Sequence, residues 1–152
     1  MGVSAGGITV GNAIAQRPDL FGAFLINVGL VNALRLGAIP IGPFNVGEFG
    51  AADTADGLRI LYAIDAYQQL RDGADYPSAL ISTGLLDPRV SPWMPAKYAA
   101  RLQAATAHRP ALLRVDDLGG HGGGTREQAE SELADTYSFI LWQSGAPDFQ
   151  LK

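Results

Sequence analysis

Three side chains in this chain carry complementary chemistry: an alcohol at Ser4, a carboxylate at Asp87 and an imidazole at His121. An alcohol is a weak nucleophile until a base accepts its proton. An imidazole titrates near neutral pH and suits that task. A carboxylate behind the imidazole holds its tautomer and stabilises the imidazolium. Together they would carry out acyl transfer through a covalent intermediate on Ser4.

Each of the three sits in a segment suited to a turn. Ser4 is the centre of Gly2-Val3-Ser4-Ala5-Gly6, a Gly-x-Ser-x-Gly pattern that reads as a nucleophile elbow opening a helix. The flanking glycines are expected to be sterically required, because a strained turn and a closely packed helix both need positions without a Cβ. The backbone N–H of Ala5, the residue after the nucleophile, is the expected oxyanion donor. Asp87 lies in Gly84-Leu85-Leu86-Asp87-Pro88-Arg89-Val90, and His121 lies in the glycine run from Gly119 to Gly124. A strand should feed the elbow. Only Met1 precedes Gly2, so that strand and the earlier part of the scaffold are expected to be missing.

Simpler roles compete at each position. Ser4 would be a turn or helix cap, Asp87 an Asp-Pro turn paired with Arg89, and His121 an exposed loop residue. His108, at a predicted helix end, is read as structural or merely exposed. Other motifs fail. Gly124-Thr125 lacks the lysine of a phosphate-binding loop. His121-Gly122-Gly123-Gly124 matches an oxyanion tetrapeptide but lies downstream of the serine instead of upstream. With two histidines and no cysteine, a zinc site is not expected, and no metal or cofactor is implied.

The elements that would position these groups follow from the pattern of apolar runs and breakers. Gly6 to Gln16 reads as a helix, ended by Arg17-Pro18-Asp19. Ala23 to Val28, Ser78 to Thr83 and Ala111 to Val115 are short apolar runs, suited to strands covered on both faces. A short helix is expected near Val31–Leu36, followed by a loop rich in glycine and proline. Ala55 to Ala66 has a helical pattern, and Tyr67 to Tyr76 is irregular. Pro95 to Ala107 is a helix of strong helix formers. Thr125 with Gln128 forms a capping-box pattern for a last helix ending near Ser144. This alternation predicts an α/β fold: a three-layer sandwich with a short, mostly parallel sheet of three to four strands. Ser4, Asp87 and His121 then all fall at carboxyl ends of strands, where open sheets place their sites.

Composition limits the function classes. A chain of 152 residues, 47% hydrophobic and 17% charged, suits one globular domain, here residues 1–152. A formal net charge of −4 argues against nucleic-acid binding. No apolar run reaches about 18 residues, so no membrane span is expected. No signal-like segment follows Met1, and a cytoplasmic location is expected.

Taken in order, several segments resemble the C-terminal part of the catalytic domain of the prolyl oligopeptidase family of serine peptidases. They are Gly2-Val3-Ser4-Ala5-Gly6-Gly7, Gln16-Arg17-Pro18-Asp19-Leu20-Phe21, Glu48-Phe49-Gly50, Tyr76-Pro77-Ser78-Ala79-Leu80, Asp87-Pro88-Arg89-Val90 and Gly120-His121-Gly122. The resemblance implies a partial α/β-hydrolase domain, with Ser4 as nucleophile, Asp87 as acid and His121 as base. It implies that Arg89 contacts a substrate carbonyl. It places Phe44 where prolyl oligopeptidases set a tryptophan against the substrate proline. Asn45 and Gly47 lack the acidic character of the related oligopeptidase B, which selects basic residues. The Leu85–Pro92 and Trp93–Ala100 stretches nevertheless look like oligopeptidase B, and the subfamily stays open.

The departures from the family pattern also set expectations. Val3 stands where the elbow usually has a glycine. The family's β-propeller and the earlier strands of its sheet are expected to be missing, and with them the tyrosine hydroxyl that the resemblance implies as second oxyanion donor. An unpaired strand edge at Ala23–Val28 or a neighbour invites pairing with another chain, so a homo-oligomer is one expected arrangement. The implied function is hydrolysis of short peptides or simple esters. The alternative is a catalytically impaired fragment acting as an interaction or structural module.

Overall fold

The computed structural model describes residues 1–106, 108–122 and 124–151. Four strands form one parallel sheet in the order β1-β2-β3-β4: Gly2–Val3, Ala23–Asn27, Ser78–Gly84 and Ala111–Asp116. Gly2 aligns with Ile26, Ile26 with Ile81, and Ile81 with Leu113. The strands are therefore staggered so that their carboxyl ends meet along one rim.

Strands that follow one another across a sheet through right-handed crossovers carry all their connecting helices on one face. That face holds α1 (Gly6–Gln16), α4 (Ala66–Gln69) and α5 (Trp93–Ala105). Its core joins Ile8 and Ile14 to Phe24, Ile26, Ile81, Met94, Tyr98 and Leu102. Burial of each such side chain stabilises by about 1.5–3 kcal/mol, so this face dominates the packing. On the other face α6 (Arg126–Gln143) packs Phe139 and Trp142 on Leu25 and Leu80 of β2 and β3. Strand β4, expected to be covered on both faces, instead leaves Leu112, Leu113 and Val115 exposed, because it is an edge strand that α6 does not reach across. Three layers result, as the alternation predicts.

Several expectations are refined. The elbow does have a feeding strand, because the two residues of β1 pair with Ile26 and Asn27. This pairing depends on register with a distant strand and is invisible in so short a run. Ala23–Leu25 have no strand on that side of β2 among the described residues. The expected helix over Ala55–Ala66 divides into α3 (Ala55–Ala63) and α4, because the Asp65 carboxylate accepts from Gln68 N–H and starts a new helix. The segment after β2 forms 3-10 turns at Ala33–Ala38 and Gly42–Asn45 before the short α2 (Val46–Phe49). Helix α5 begins at Trp93 and ends at Ala105; the expected end at Ala107 lies outside the described residues, as does Gly123 of the glycine run. No helix among the described residues is long and apolar enough to cross a membrane.

Candidate active site

The sheet rim collects the three side chains. Ser4, one residue past β1, adopts φ +54, a left-handed conformation rare for a residue with a Cβ. Its N–H donates to Asn27 C=O at 3.0 Å, and its C=O accepts from Gly7 N–H at 2.9 Å and Leu30 N–H at 2.8 Å. The strained residue is thus fixed by its own peptide groups, which leaves the hydroxyl to project from the turn. Ala5 N–H forms no hydrogen bond among the described residues and stays open to an incoming oxygen.

The expectation about the flanking glycines needs correction. A Cβ on Gly2 would stand 2.5 Å from Gly6 C=O, and a Cβ on Gly7 would stand 3.0 Å from Gly29 Cα and Leu30 N. A Cβ on Gly6 would meet nothing within 4 Å. Gly2 and Gly7 are the positions without room. Val3 is tolerated because its side chain is half exposed and only Ser4 takes the left-handed turn.

Asp87 follows β3 with a fully buried carboxyl. Its Oδ1 accepts from Arg89 N–H at 2.8 Å and Val90 N–H at 2.9 Å. These bonds offset the cost of burying the carboxylate and fix its direction. His121 follows β4 on a loop stitched to the Asp87 loop, since Leu85 N–H donates to Asp116 C=O and Leu86 N–H to Gly119 C=O. Gly122, at φ +95, supplies the left-handed turn beside the histidine. The imidazole Nδ1 lies 2.8 Å from Asp87 Oδ2, and Nε2 lies 2.8 Å from Ser4 Oγ. The carboxylate accepts only, so Nδ1 carries the proton and Nε2 is left to accept from the serine hydroxyl. An alcohol, an imidazole and a carboxylate separated widely in sequence are brought into one hydrogen-bonded line.

The two substrate positions implied by resemblance do not join that line. Arg89 is exposed, and its guanidinium forms no ion pair or hydrogen bond among the described residues, so the Asp87–Arg89 pair does not form. Phe44 is 87% exposed on its 3-10 turn and is not packed into a wall. His108 is exposed, beyond the end of α5. A groove of about 630 Å³ between β4 and α6, lined by Leu112, Phe139, Trp142 and Phe149, lies away from the three residues. Groove size therefore does not locate the chemistry here; side-chain geometry does.

Sequence reading missed a buried polar knot behind the rim. Asp65 Oδ2 accepts from Asn32 Nδ2 at 2.6 Å and Leu34 N–H at 2.8 Å. Lys97 Nζ donates to Asn32 Oδ1 at 3.1 Å and sits 4.0 Å above the Tyr67 ring. It ties the segment after β2 to α5. Nothing in the spacing of these residues announces it.

With this geometry in view, the family model of the prolyl oligopeptidase family matches residues 1–146. The chain belongs to that family. A prolyl endopeptidase from Elizabethkingia miricola is 34% identical over 147 residues, which cover 95% of this chain and 21% of that protein. Oligopeptidase B from Leishmania major superposes with a TM-score of 0.87 at 28% identity, over 93% of this chain and 20% of that one. Prolyl oligopeptidase B from Galerina marginata, bound to a 35mer hydrolysis and macrocyclization substrate, gives 0.87 at 26% identity, over 95% and 21%. The fold is of the α/β-hydrolase type these enzymes share, and this chain spans about one fifth of the length of the relatives it matches.

Proposed function

We propose that this prolyl oligopeptidase family chain carries serine hydrolase chemistry at Ser4, acting on short peptides or simple esters. The observation that carries the proposal is the line from Ser4 Oγ to His121 Nε2 and from His121 Nδ1 to Asp87, each step 2.8 Å. Structures of the Galerina enzyme carrying alanine at a serine, an aspartate and a histidine, in that chain order, support the same assignment of groups.

The steps follow from the groups. Ser4 Oγ attacks the scissile carbonyl carbon while His121 Nε2 takes the hydroxyl proton. The carbonyl oxygen gains negative charge and turns toward Ala5 N–H. Collapse of the tetrahedral species breaks the bond to the leaving amine or alcohol, which takes the proton from His121. Water then repeats the sequence on the acyl-enzyme and releases the acid. Asp87 stays ionised and stabilises the imidazolium in both halves. Arg89, exposed beside Asp87, would donate to a substrate carbonyl, and Phe44 would offer an aromatic face to a proline ring.

Ala5 N–H would supply an oxyanion donor, and a site working with one donor instead of two typically turns over about 10²–10³ more slowly. Activated esters are therefore expected to react ahead of amides. The test is labelling by a fluorophosphonate probe together with turnover of p-nitrophenyl esters, with Ser4→Ala as control. Labelling that the control abolishes supports the proposal. A folded chain that neither labels nor turns over ester favours the second reading, a catalytically impaired module, which the one-fifth coverage of its relatives motivates.

A further inference from the structure

Among the described residues Val28 is, after Ser4, the second with a Cβ in the left-handed region, at φ +44, and it lies one residue past the end of β2. A β-branched side chain makes this conformation a clear outlier, and such strain persists only where the surroundings impose it. Here they do. Val28 N–H donates to Ser82 C=O at 2.8 Å, and its side chain is buried at 2% exposure. The next residue is confined as well, because a Cβ on Gly29 would overlap Ile26 Cγ2.

The turn has a specific product. It reverses the chain after β2 so that Leu30 N–H meets Ser4 C=O at 2.8 Å, while Asn27 C=O, just before the turn, receives Ser4 N–H at 3.0 Å. Both backbone groups of Ser4 are thus bonded to residues on either side of the strained Val28, Asn27 before it and Leu30 after it. The same turn lies against the first turn of α1, where Gly7 has no room for a Cβ beside Gly29 and Leu30.

We propose that Val28 is a positioning residue for the nucleophile: its buried, β-branched, left-handed backbone clamps the Ser4 elbow from behind and holds Oγ in reach of His121. For its kinetic consequence this rests on the serine chemistry proposed above. Glycine at position 28 would adopt the same φ without strain but would also sample many others. Threonine would keep the branched shape while burying a hydroxyl.

The experiment compares Val28→Gly and Val28→Thr with the parent chain in three measurements: thermal melting, the rate of fluorophosphonate labelling at Ser4, and amide hydrogen exchange at Leu30 and Ser4 by NMR. Val28→Gly loses a buried side chain while relieving the left-handed strain, and is expected to melt below the parent. At temperatures where it is fully folded it should still label about 10- to 100-fold more slowly, the size expected for a displaced reacting group. Its Leu30 amide should exchange at least about tenfold faster, with β3 amides unchanged. Val28→Thr is expected to melt lower as well, because it buries a hydroxyl, yet to label within about threefold of the parent, so rate does not follow stability across the two variants. Equal Leu30 exchange in parent and Val28→Gly overturns the clamp, whether or not the parent labels. So does labelling that simply tracks melting temperature. A parent chain that never labels removes the hydrolase proposal alone, and amide exchange still decides the clamp.

Discussion

Gly84 closes the strand that delivers Asp87, and its Cα lies against the backbone of Gly119, so that an added Cβ would overlap the Gly119 carbonyl and stand 2.6 Å from that of Gly120. The loops carrying Asp87 and His121 thus touch backbone to backbone, directly before His121. Gly84→Ala must push the His121 loop outward. We expect a loss of about 1–3 kcal/mol in stability, the usual cost of overpacking. A more than tenfold fall in Ser4 labelling should accompany it. Urea unfolding and probe kinetics on one preparation check both. Unchanged labelling would show that the histidine is placed by other contacts.

Asp87→Asn separates charge from geometry. The asparagine carbonyl still accepts from Arg89 and Val90 N–H, so the loop should keep its course. Its amide NH₂ would instead face Nδ1 and force the wrong imidazole tautomer. Labelling is expected to fall by about 10⁴-fold, as in other triads so altered. A fall of less than tenfold would mean that Asp87 only orients its own loop.

How much of this was legible in the sequence depends on the range of the forces involved. The boundaries of α1 follow from local breakers and match the expectation at both ends. The Thr125–Gln128 capping box and the apolar runs of β2, β3 and β4 are local signals too, and they hold to within a residue or so. The order of Ser4, Asp87 and His121 was readable because each follows a strand, and strands in a parallel sheet share one rim. What was hidden is set by register and crowding. Gly2 and Gly7 are needed and Gly6 is not, a distinction that depends on Val10, Gly29 and Leu30. Val28 has the composition of a strand residue and the conformation of a turn. The Asp65–Asn32–Lys97 knot joins residues up to 65 apart, with no periodicity to mark it.

Phe139 is the only buried residue of α6 among the described residues, so the helix leans little on the sheet and its cap should matter. Gln128 N–H donates to Thr125 Oγ1 at 3.2 Å, and Thr125 N–H donates to Gln128 Oε1 at 2.7 Å. Thr125→Ala removes the first bond and is expected to cost about 1 kcal/mol, with serine restoring most of it. For a domain of this size that is a drop of about 2–4 °C in melting temperature, read by circular dichroism. Equal melting of the alanine and serine variants would assign the effect to something other than the hydroxyl.

Tyr98 makes the chain sensitive to alkali. Its ring is fully buried under α1, and its hydroxyl finds no hydrogen-bond partner among the described residues. Burial pushes the phenol above its ordinary range, and neighbouring Tyr76 adds a smaller push in the same direction. The folded state therefore keeps the proton while the unfolded chain releases it near pH 10. Between those values the folded state binds more protons, so stability falls as pH rises. The contribution is complete below about pH 10 and is lost progressively above it. Tyr98→Phe removes both the unpartnered hydroxyl and the titration. Relieving an unsatisfied buried group of this kind is worth about 1–3 kcal/mol, so the variant should be as stable as the parent or more so at neutral pH. Its advantage should then widen between pH 8 and pH 11 in paired urea titrations, where only the parent can lose stability by ionising Tyr98 on unfolding. A constant difference across that range would mean that the Tyr98 hydroxyl is solvated in the folded chain.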